Sequence, residues 1–451
     1  MSDELSPAEK ELAEIMKATP GVMEFNPRHI YYSSEKATYF VDTGEFYRVY
    51  TRKMPVKNGM RRYLESQGKD DGEIKDLICD YVETIEIDRA IDWNGKLAGY
   101  KRGVAIFGGR KFLITDGYDL PESKEGACPL HLNIIAQAFK EPDAQAVFCG
   151  WLQGSVNAIR ASEHQPAPML VLAGEKGAGK SLLAHICKQA MGGRSSNPMT
   201  AWAGTLPWND NLLGAELLLI DDSVSSTDIR ARKAFGARFK EAIYAGSVEI
   251  NTRQKSSISI RPVWRVMICC NETAENLSVI PPLEEGIEDK VILMKVAPVT
   301  MPMPAETPEQ RIAFQKALAD ELPAFLAWLE SVEIPEHLGD TRSSVTAWKD
   351  EELLEAVLEI SPEKRLEKLI ALAITKNHMN DGWQCAQEVQ SQLLHYDSPT
   401  ASQARTLLKY DNNAGTYLSR LKEQGSAYVG DKRRNSDGIY QYLINNPSLT
   451  A

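Results

Sequence analysis

One short stretch, Gly174-Glu175-Lys176-Gly177-Ala178-Gly179-Lys180-Ser181, constrains this chain more than any other. It completes the pattern G-x-x-x-x-G-K-[ST] between an apolar run, "MLVLAG", and a helix-like pattern, "LLAHICK". Glycines at these positions let backbone N–H groups converge on phosphate oxygens at the N-terminus of the following helix. In that geometry the backbone through Leu182 lines the phosphates and Lys180 reaches the β- and γ-phosphates. The Ser181 hydroxyl then serves Mg²⁺. A strand that feeds such a loop is buried on both faces, so an α/β domain with a parallel sheet is expected.

Two more apolar runs fit that sheet. "ELLLIDD" ends in Asp221 and Asp222. A strand beside the phosphate loop can deliver its terminal acid to the magnesium shell, which assigns Asp221 to the metal. Asp222 is then placed to polarise the attacking water as a general base. "RVMICCN" ends in Asn271, whose amide can hold that water or the γ-phosphate and report nucleotide state. Taken alone, each run is only a strand ending at a turn residue.

Between them, "SVEIN" and "SISIR" alternate like two strands around "TRQKS". A solvated hairpin tip would look the same. The sharper reading projects Arg253, Gln254 and Lys255 into a pore to grip a phosphate backbone.

Charge bears on that grip. The chain of 451 residues carries 62 acidic and 51 basic side chains, a net charge of −11. Any DNA contact must therefore come from local basic elements rather than a bulk positive face. Seven scattered cysteines without a C-x-x-C pair argue against a disulfide framework or a zinc ribbon. Seven histidines without ligand spacing imply no catalytic metal besides Mg²⁺. No apolar run approaches the roughly 18 residues that span a bilayer. The acidic, amphipathic start is unlike a targeting peptide, so a cytoplasmic protein without membrane contact is expected.

The motifs and the hairpin together resemble the superfamily 3 helicases, the AAA+ family of small-virus and plasmid replication proteins. That family carries a basic residue or histidine at the hairpin tip, a place that Lys255 fills. "LAGYKRGVAIFGGRKFLIT" upstream looks like the region before the motor in phage and poxvirus-type primase-helicases. The resemblance is closest over residues 168–296 and looser from 90 to 375. It implies an ATP-dependent DNA helicase that forms a ring, usually a hexamer, with ATP and Mg²⁺ between subunits. It further implies 3′ to 5′ translocation on single-stranded DNA, in replication of a phage, plasmid or integrated mobile element.

Two departures stand out. The family usually has an arginine shortly after the sensor Asn, acting across the subunit interface on the γ-phosphate. Lys290 stands there, a point charge without the planar fork, and Arg230, Arg232, Arg238 and Arg265 are alternatives. No primase portion is visible, so any priming is expected to come from a separate primase or polymerase. Two other readings share the nucleotide motifs. One is an AAA+ switch in replication initiation or anti-phage defence that binds DNA without processive unwinding. The other is a DNA-binding adaptor with a dead motor.

The chain divides into four regions. Residues 1–125 read as a mixed α/β domain, and 126–298 as the AAA+ P-loop motor with a helical lead-in over 126–165. Residues 299–360 read as a proline-rich linker and a helical segment. Residues 361–451 give helices followed by a hairpin, a winged-helix-like pattern with Lys432, Arg433 and Arg434 at the wing. Such a wing is positioned to meet phosphates, although winged helices also serve as protein-docking modules. Trp202 and Trp208 are read as packing residues before base-stacking ones.

Overall fold

The computed structural model describes residues 22–202, 209–221, 229–244, 247–250, 258–283, 286–408 and 413–447. It opens with an antiparallel meander of β1 (Ile30–Ser33), β2 (Thr38–Asp42) and β3 (Tyr47–Tyr50). The sequence pattern suggests a single hairpin. A 3-10 turn at Ser34–Lys36, closed by left-handed Ala37, adds a second reversal. Helices α1 (Lys53–Ser66) and α2 (Asp71–Ile87) bury Met60 and Ile78 against Ile30 and Val41. Asp70 caps α2, its carboxylate accepting from the Gly72 and Glu73 N–H groups.

Next come β4 (Trp93–Lys96), β5 (Gly103–Phe107) and β6 (Arg110–Asp116), in the order β4-β6-β5. Gly108 and Gly109, at φ +55° and +79°, supply the left-handed pair that a two-residue hairpin requires. Through Trp93, Phe112 and Ile114 this sheet shares a core with the apolar strand residues Met169, Leu218 and Ile268. Helices α3 (Pro129–Ala138) and α4 (Pro142–Ala161) replace the single helical run read from the sequence. Pro142 starts a new helix at a position where its missing N–H costs nothing.

The central elements are β7 (Met169–Ala173), α5 (Lys180–Ala190), β8 (Ser195–Ser196), α6 (Met199–Trp202) and β9 (Leu217–Asp221). They continue with α7 (Ile229–Tyr244), β10 (Val248–Ile250), β11 (Ile258–Ile260), β12 (Arg265–Cys270), α8 (Ala274–Leu277) and β13 (Val291–Lys295). Five of the strands form a parallel sheet in the order β13-β7-β12-β9-β8. Strand β12 comes late in the chain yet lies between β7 and β9. Cys270 thereby pairs with Ala173 and Cys269 with Asp221, which brings three strand ends side by side.

Buried Glu216 ties this sheet to the preceding one. Its carboxylate accepts from the Arg194 Nε at 3.0 Å, from Arg194 Nη2, and from the Gly99 N–H at 2.8 Å. Arg194 also donates to the Asp116 carbonyl at 2.9 Å.

The proline-rich segment after β13 runs along the phosphate loop, with the Val296 and Val299 N–H groups donating to the Ala173 and Ala178 carbonyls. It leads into α9 (Pro308–Glu330), opened by a Thr307/Gln310 capping box. Phe314, Leu318 and Phe325 of α9 join the core of α3, α4 and α5. A short ribbon, β14 (Gly339–Asp340) and β15 (Ser344–Val345), precedes α10 (Glu351–Glu359).

The C-terminal unit contains α11 (Pro362–Thr375), β16 (Gly382–Cys385), α12 (Ala386–Leu394), α13 (Ala401–Leu407) and α14 (Asn413–Glu423). It ends in β17 (Val429–Arg434) and β18 (Tyr440–Ile444), and its antiparallel sheet runs β16-β18-β17. Its separate core is built around Leu366, Ile370, Leu393 and Leu418. Strand β16 and a fourth helix go beyond the three helices and hairpin read from the sequence. Among the described residues, no helix is long and apolar enough to cross a membrane.

Candidate functional site

The loop between β7 and α5 takes its shape from its glycines. A Cβ on Gly174 would lie 2.6 Å from the Val296 carbonyl oxygen, so no side chain fits there. Gly177 and Gly179 sit at φ +85° and +102°, a left-handed backbone that other residues adopt at a cost. The chain thus reverses within a few residues and enters α5 at Lys180. Ala178 is buried behind the loop, while Glu175, Lys176 and Ser181 face solvent.

Lys180 is the buried exception. Its ammonium donates to the Gly174 carbonyl at 2.9 Å, the Glu175 carbonyl at 2.8 Å and Asn271 Oδ1 at 3.0 Å. Three donors thus meet three acceptors, and the buried charge is satisfied. Beside it, the Ser181 hydroxyl donates to Asp221 Oδ2 at 3.3 Å. A hydroxyl and an accessible carboxylate are oxygen donors of the kind that suit a hard divalent cation. The structure therefore gathers Lys180 and Ser181 at the start of α5, Asp221 at the end of β9 and Asn271 just after β12. Asp222 lies outside the described residues.

The flank of this site is charged. Glu272, next to Asn271, lies 3.6 Å from Lys295, which also pairs with Glu352 at 2.5 Å. The Cys269 thiol is pushed well above its ordinary range by burial, so it is an inert packing group.

Of the hairpin, β10 and β11 pair antiparallel with Val248 opposite Ile260. The tip that carries Arg253, Gln254 and Lys255 lies outside the described residues, as does Trp208. Trp202 is buried with its ring centroid 5.5 Å from that of Phe235, which is a packing role.

The candidate trans-acting cations separate by environment. Arg265 is fully interior, donating to Ser155 Oγ and the Gln165 carbonyl, each at 2.9 Å. Burial pushes its guanidinium down to about 10. Arg232 donates twice to the Ile280 carbonyl and is likewise pushed down to about 10 by burial. Both are held within the fold of their own chain. Lys290 is mostly buried, with Asp289 at 2.6 Å and the Tyr244 ring centroid at 5.3 Å. Arg238 faces solvent on α7 and makes a surface pair with Glu241 at 3.2 Å. The side chain of Arg230 is outside the described set.

In the C-terminal unit, Lys432, Arg433 and Arg434 are exposed on β17, and each lies over an aromatic ring. Lys432 and Arg434 stand 4.3 and 4.6 Å from the Tyr440 centroid, and Arg433 stands 4.0 Å from the Trp383 ring. Among the described residues none of the three has an acidic side chain within ion-pair distance. Reading the sequence did not single out Trp383, Ile439 and Tyr440. The alternation in "GIYQYLI", which puts both tyrosines on one face, was the available signal.

A family model for a family of unknown function (DUF5906) matches residues 172–282, from within β7 to just beyond α8. No curated protein matches the sequence. Among solved structures, the apo NrS-1 C terminal region (305-718) superposes with a TM-score of 0.53 at 14% identity. The match covers 95% of this chain and 100% of that one. The A form of the same region gives 0.50 at 13% identity, over 92% of this chain and 96% of that one. A structure described as SCCmec type IV Cch, active helicase, gives 0.43 at 9% identity over 93% of each chain, below the level at which a shared fold is argued. The chain thus shares its fold, almost end to end, with the NrS-1 C terminal region.

Proposed function

We propose that this chain is an ATP-dependent DNA helicase of the superfamily 3 type, built on an AAA+ motor. It works as a homo-oligomeric ring, a hexamer, that moves 3′ to 5′ on single-stranded DNA in replication of a phage, plasmid or integrated element. Where priming is needed, a separate primase or polymerase supplies it, and the setting is cytoplasmic. One observation carries the nucleotide reading: Lys180, Ser181, Asp221 and Asn271 converge at the ends of three adjacent parallel strands.

ATP would lie over the loop from Gly174 to Leu182, its phosphates held by backbone N–H groups and the start of α5. Ser181 and Asp221 would hold Mg²⁺ brought in with the nucleotide, and the ion would supply positive charge to the phosphates. The chain's own residues do the rest. Lys180 exchanges its carbonyl and amide acceptors for phosphate oxygens, with stronger, charge-assisted bonds as the driving force. Asp222 takes the proton of the attacking water while Asn271 orients that water. A cation from the neighbouring subunit completes the site, and Arg238 is the described candidate free to face one.

On the DNA side, the hairpin tip at Arg253, Gln254 and Lys255 grips the strand in the pore. The C-terminal unit acts as a winged helix, with α14 as the recognition helix and Lys432, Arg433 and Arg434 of β17 on phosphates. Phosphate release with and without oligonucleotide, beside negative-stain images with ATP, tests the whole. DNA-stimulated turnover by a closed ring supports it, and a monomer without turnover refutes it.

A further inference from the structure

A cleft of about 500 Å³ opens in the C-terminal unit between the start of α12, one face of α14 and strand β18. Gln387, Thr416, Ser419, Lys432, Ile439 and Tyr440 are among the residues that line it. The size falls in the usual range for small-ligand sites, about 300 to 1,000 Å³. Among the described residues no acidic side chain lines it; Lys432 does, and Arg434 lies beside it over the Tyr440 ring.

Those cations share one ring. Lys432 and Arg434 alternate on β17, so both fall on the face of the sheet that carries Tyr440 and Tyr442. Lys432 also donates to Ser419 Oγ at 3.2 Å, and Arg434 to the Tyr440 hydroxyl at 2.8 Å. Two like charges on one exposed tyrosine, with no carboxylate in ion-pair distance among the described residues, form a site that an anion would relieve. Next to them, Ile439 is 51% exposed and Tyr440 is 46% exposed. An apolar and aromatic wall has no use for a phosphate alone, but it has one for a base.

We propose that this cleft takes one unpaired nucleotide of single-stranded DNA. The phosphate draws Lys432 and Arg434 from the Tyr440 ring, because a charge-assisted bond outweighs an exposed cation–π contact. The uncovered ring then receives the base, with Ile439 beside it. Ser419 and Thr416 offer hydroxyls to the phosphate or the sugar. A paired base cannot enter, because the cleft is bounded by two helices and a strand and a duplex keeps its bases stacked. This inference rests on the reading of the wing as a DNA contact and is independent of the motor.

The test is fluorescence anisotropy on the full chain, without nucleotide, using labelled oligothymidylate and a blunt duplex of equal length. Tyr440→Ala should weaken oligothymidylate binding roughly tenfold and leave duplex binding within about twofold. Tyr440→Phe keeps the ring and should stay within about twofold on both probes. A single 5-iodouracil in the oligonucleotide should photo-crosslink to the peptide containing Tyr440. Unchanged oligothymidylate binding by Tyr440→Ala overturns the cleft. If Lys432→Ala and Arg434→Ala then weaken both probes alike, the wing still contacts DNA through phosphates only. If they change neither probe, the wing reading falls with the cleft.

Discussion

The Lys180 ammonium donates to Asn271 Oδ1 at 3.0 Å, joining the phosphate loop to the strand that lies between it and the acid strand. The lysine that should hold phosphate and the amide that should sense it are therefore in direct contact. Their roles are separable by mutation.

Lys180→Ala removes the only described ammonium at the loop interior and should abolish nucleotide binding. Asn271→Ala takes away one of three acceptors of Lys180 and leaves the loop intact. Nucleotide affinity should then stay within about threefold, while turnover falls about a hundredfold for lack of an oriented water. Titration with a fluorescent nucleotide, paired with phosphate release, separates the two effects. Asn271→Ala with full turnover would remove the sensor role.

Lys255→Ala should abolish strand displacement and reduce DNA-stimulated turnover to the rate seen without DNA. Unwinding that survives the change would sink the pore-grip assignment. The same protein would then fit a switch that binds nucleotide without pulling DNA.

Glu216→Ala leaves the partly buried Arg194 without its carboxylate and the Gly99 N–H without an acceptor. Breaking a buried pair by removing one partner costs roughly 3–5 kcal/mol. Chemical denaturation should show a loss of that order, and a change below about 1 kcal/mol would mean that water replaces the lost carboxylate.

Acid should weaken the fold. Burial pushes the His131, His164 and His185 imidazoles below their ordinary range, although the Glu321 carboxylate beside His131 works in the opposite direction. Since the unfolded chain titrates near pH 6.5, it binds more protons than the folded chain in the window just below that value. Stability is therefore full above about pH 6.5 and declines as pH falls through that window. Urea midpoints taken at about pH 7.5 and pH 5.5 check the sign. A higher midpoint at the lower pH contradicts it.

What is legible in the sequence depends on which interactions are local. β7, β9 and β12 are readable because strands buried on both faces are continuous apolar runs, and Gly174 to Ser181 fixes what the first of them feeds. The position of β12 between β7 and β9 is not, since strand order depends on non-local pairing. Arg265 reads as a candidate cation because a charged residue at a strand start is usually exposed. Only the fold reveals that Ser155 and Gln165, far away in the chain, satisfy it inside. Strand β16, "GWQC", has neither the length nor the alternation to announce itself, yet its Trp383 underlies Arg433. The break between α3 and α4 is marked by Pro142, and the helical periodicity on both sides conceals it.

The central claim is that ATP turnover at Lys180 and Asp221 moves this chain along one DNA strand. Strand displacement on forks with a single 3′ or a single 5′ tail, with ATP and Mg²⁺, puts that claim at risk. The 3′-tailed fork should open, the 5′-tailed fork should stay closed, and Lys180→Ala should open neither. ATP turnover with both forks left intact would contradict the claim and leave a nucleotide switch in its place.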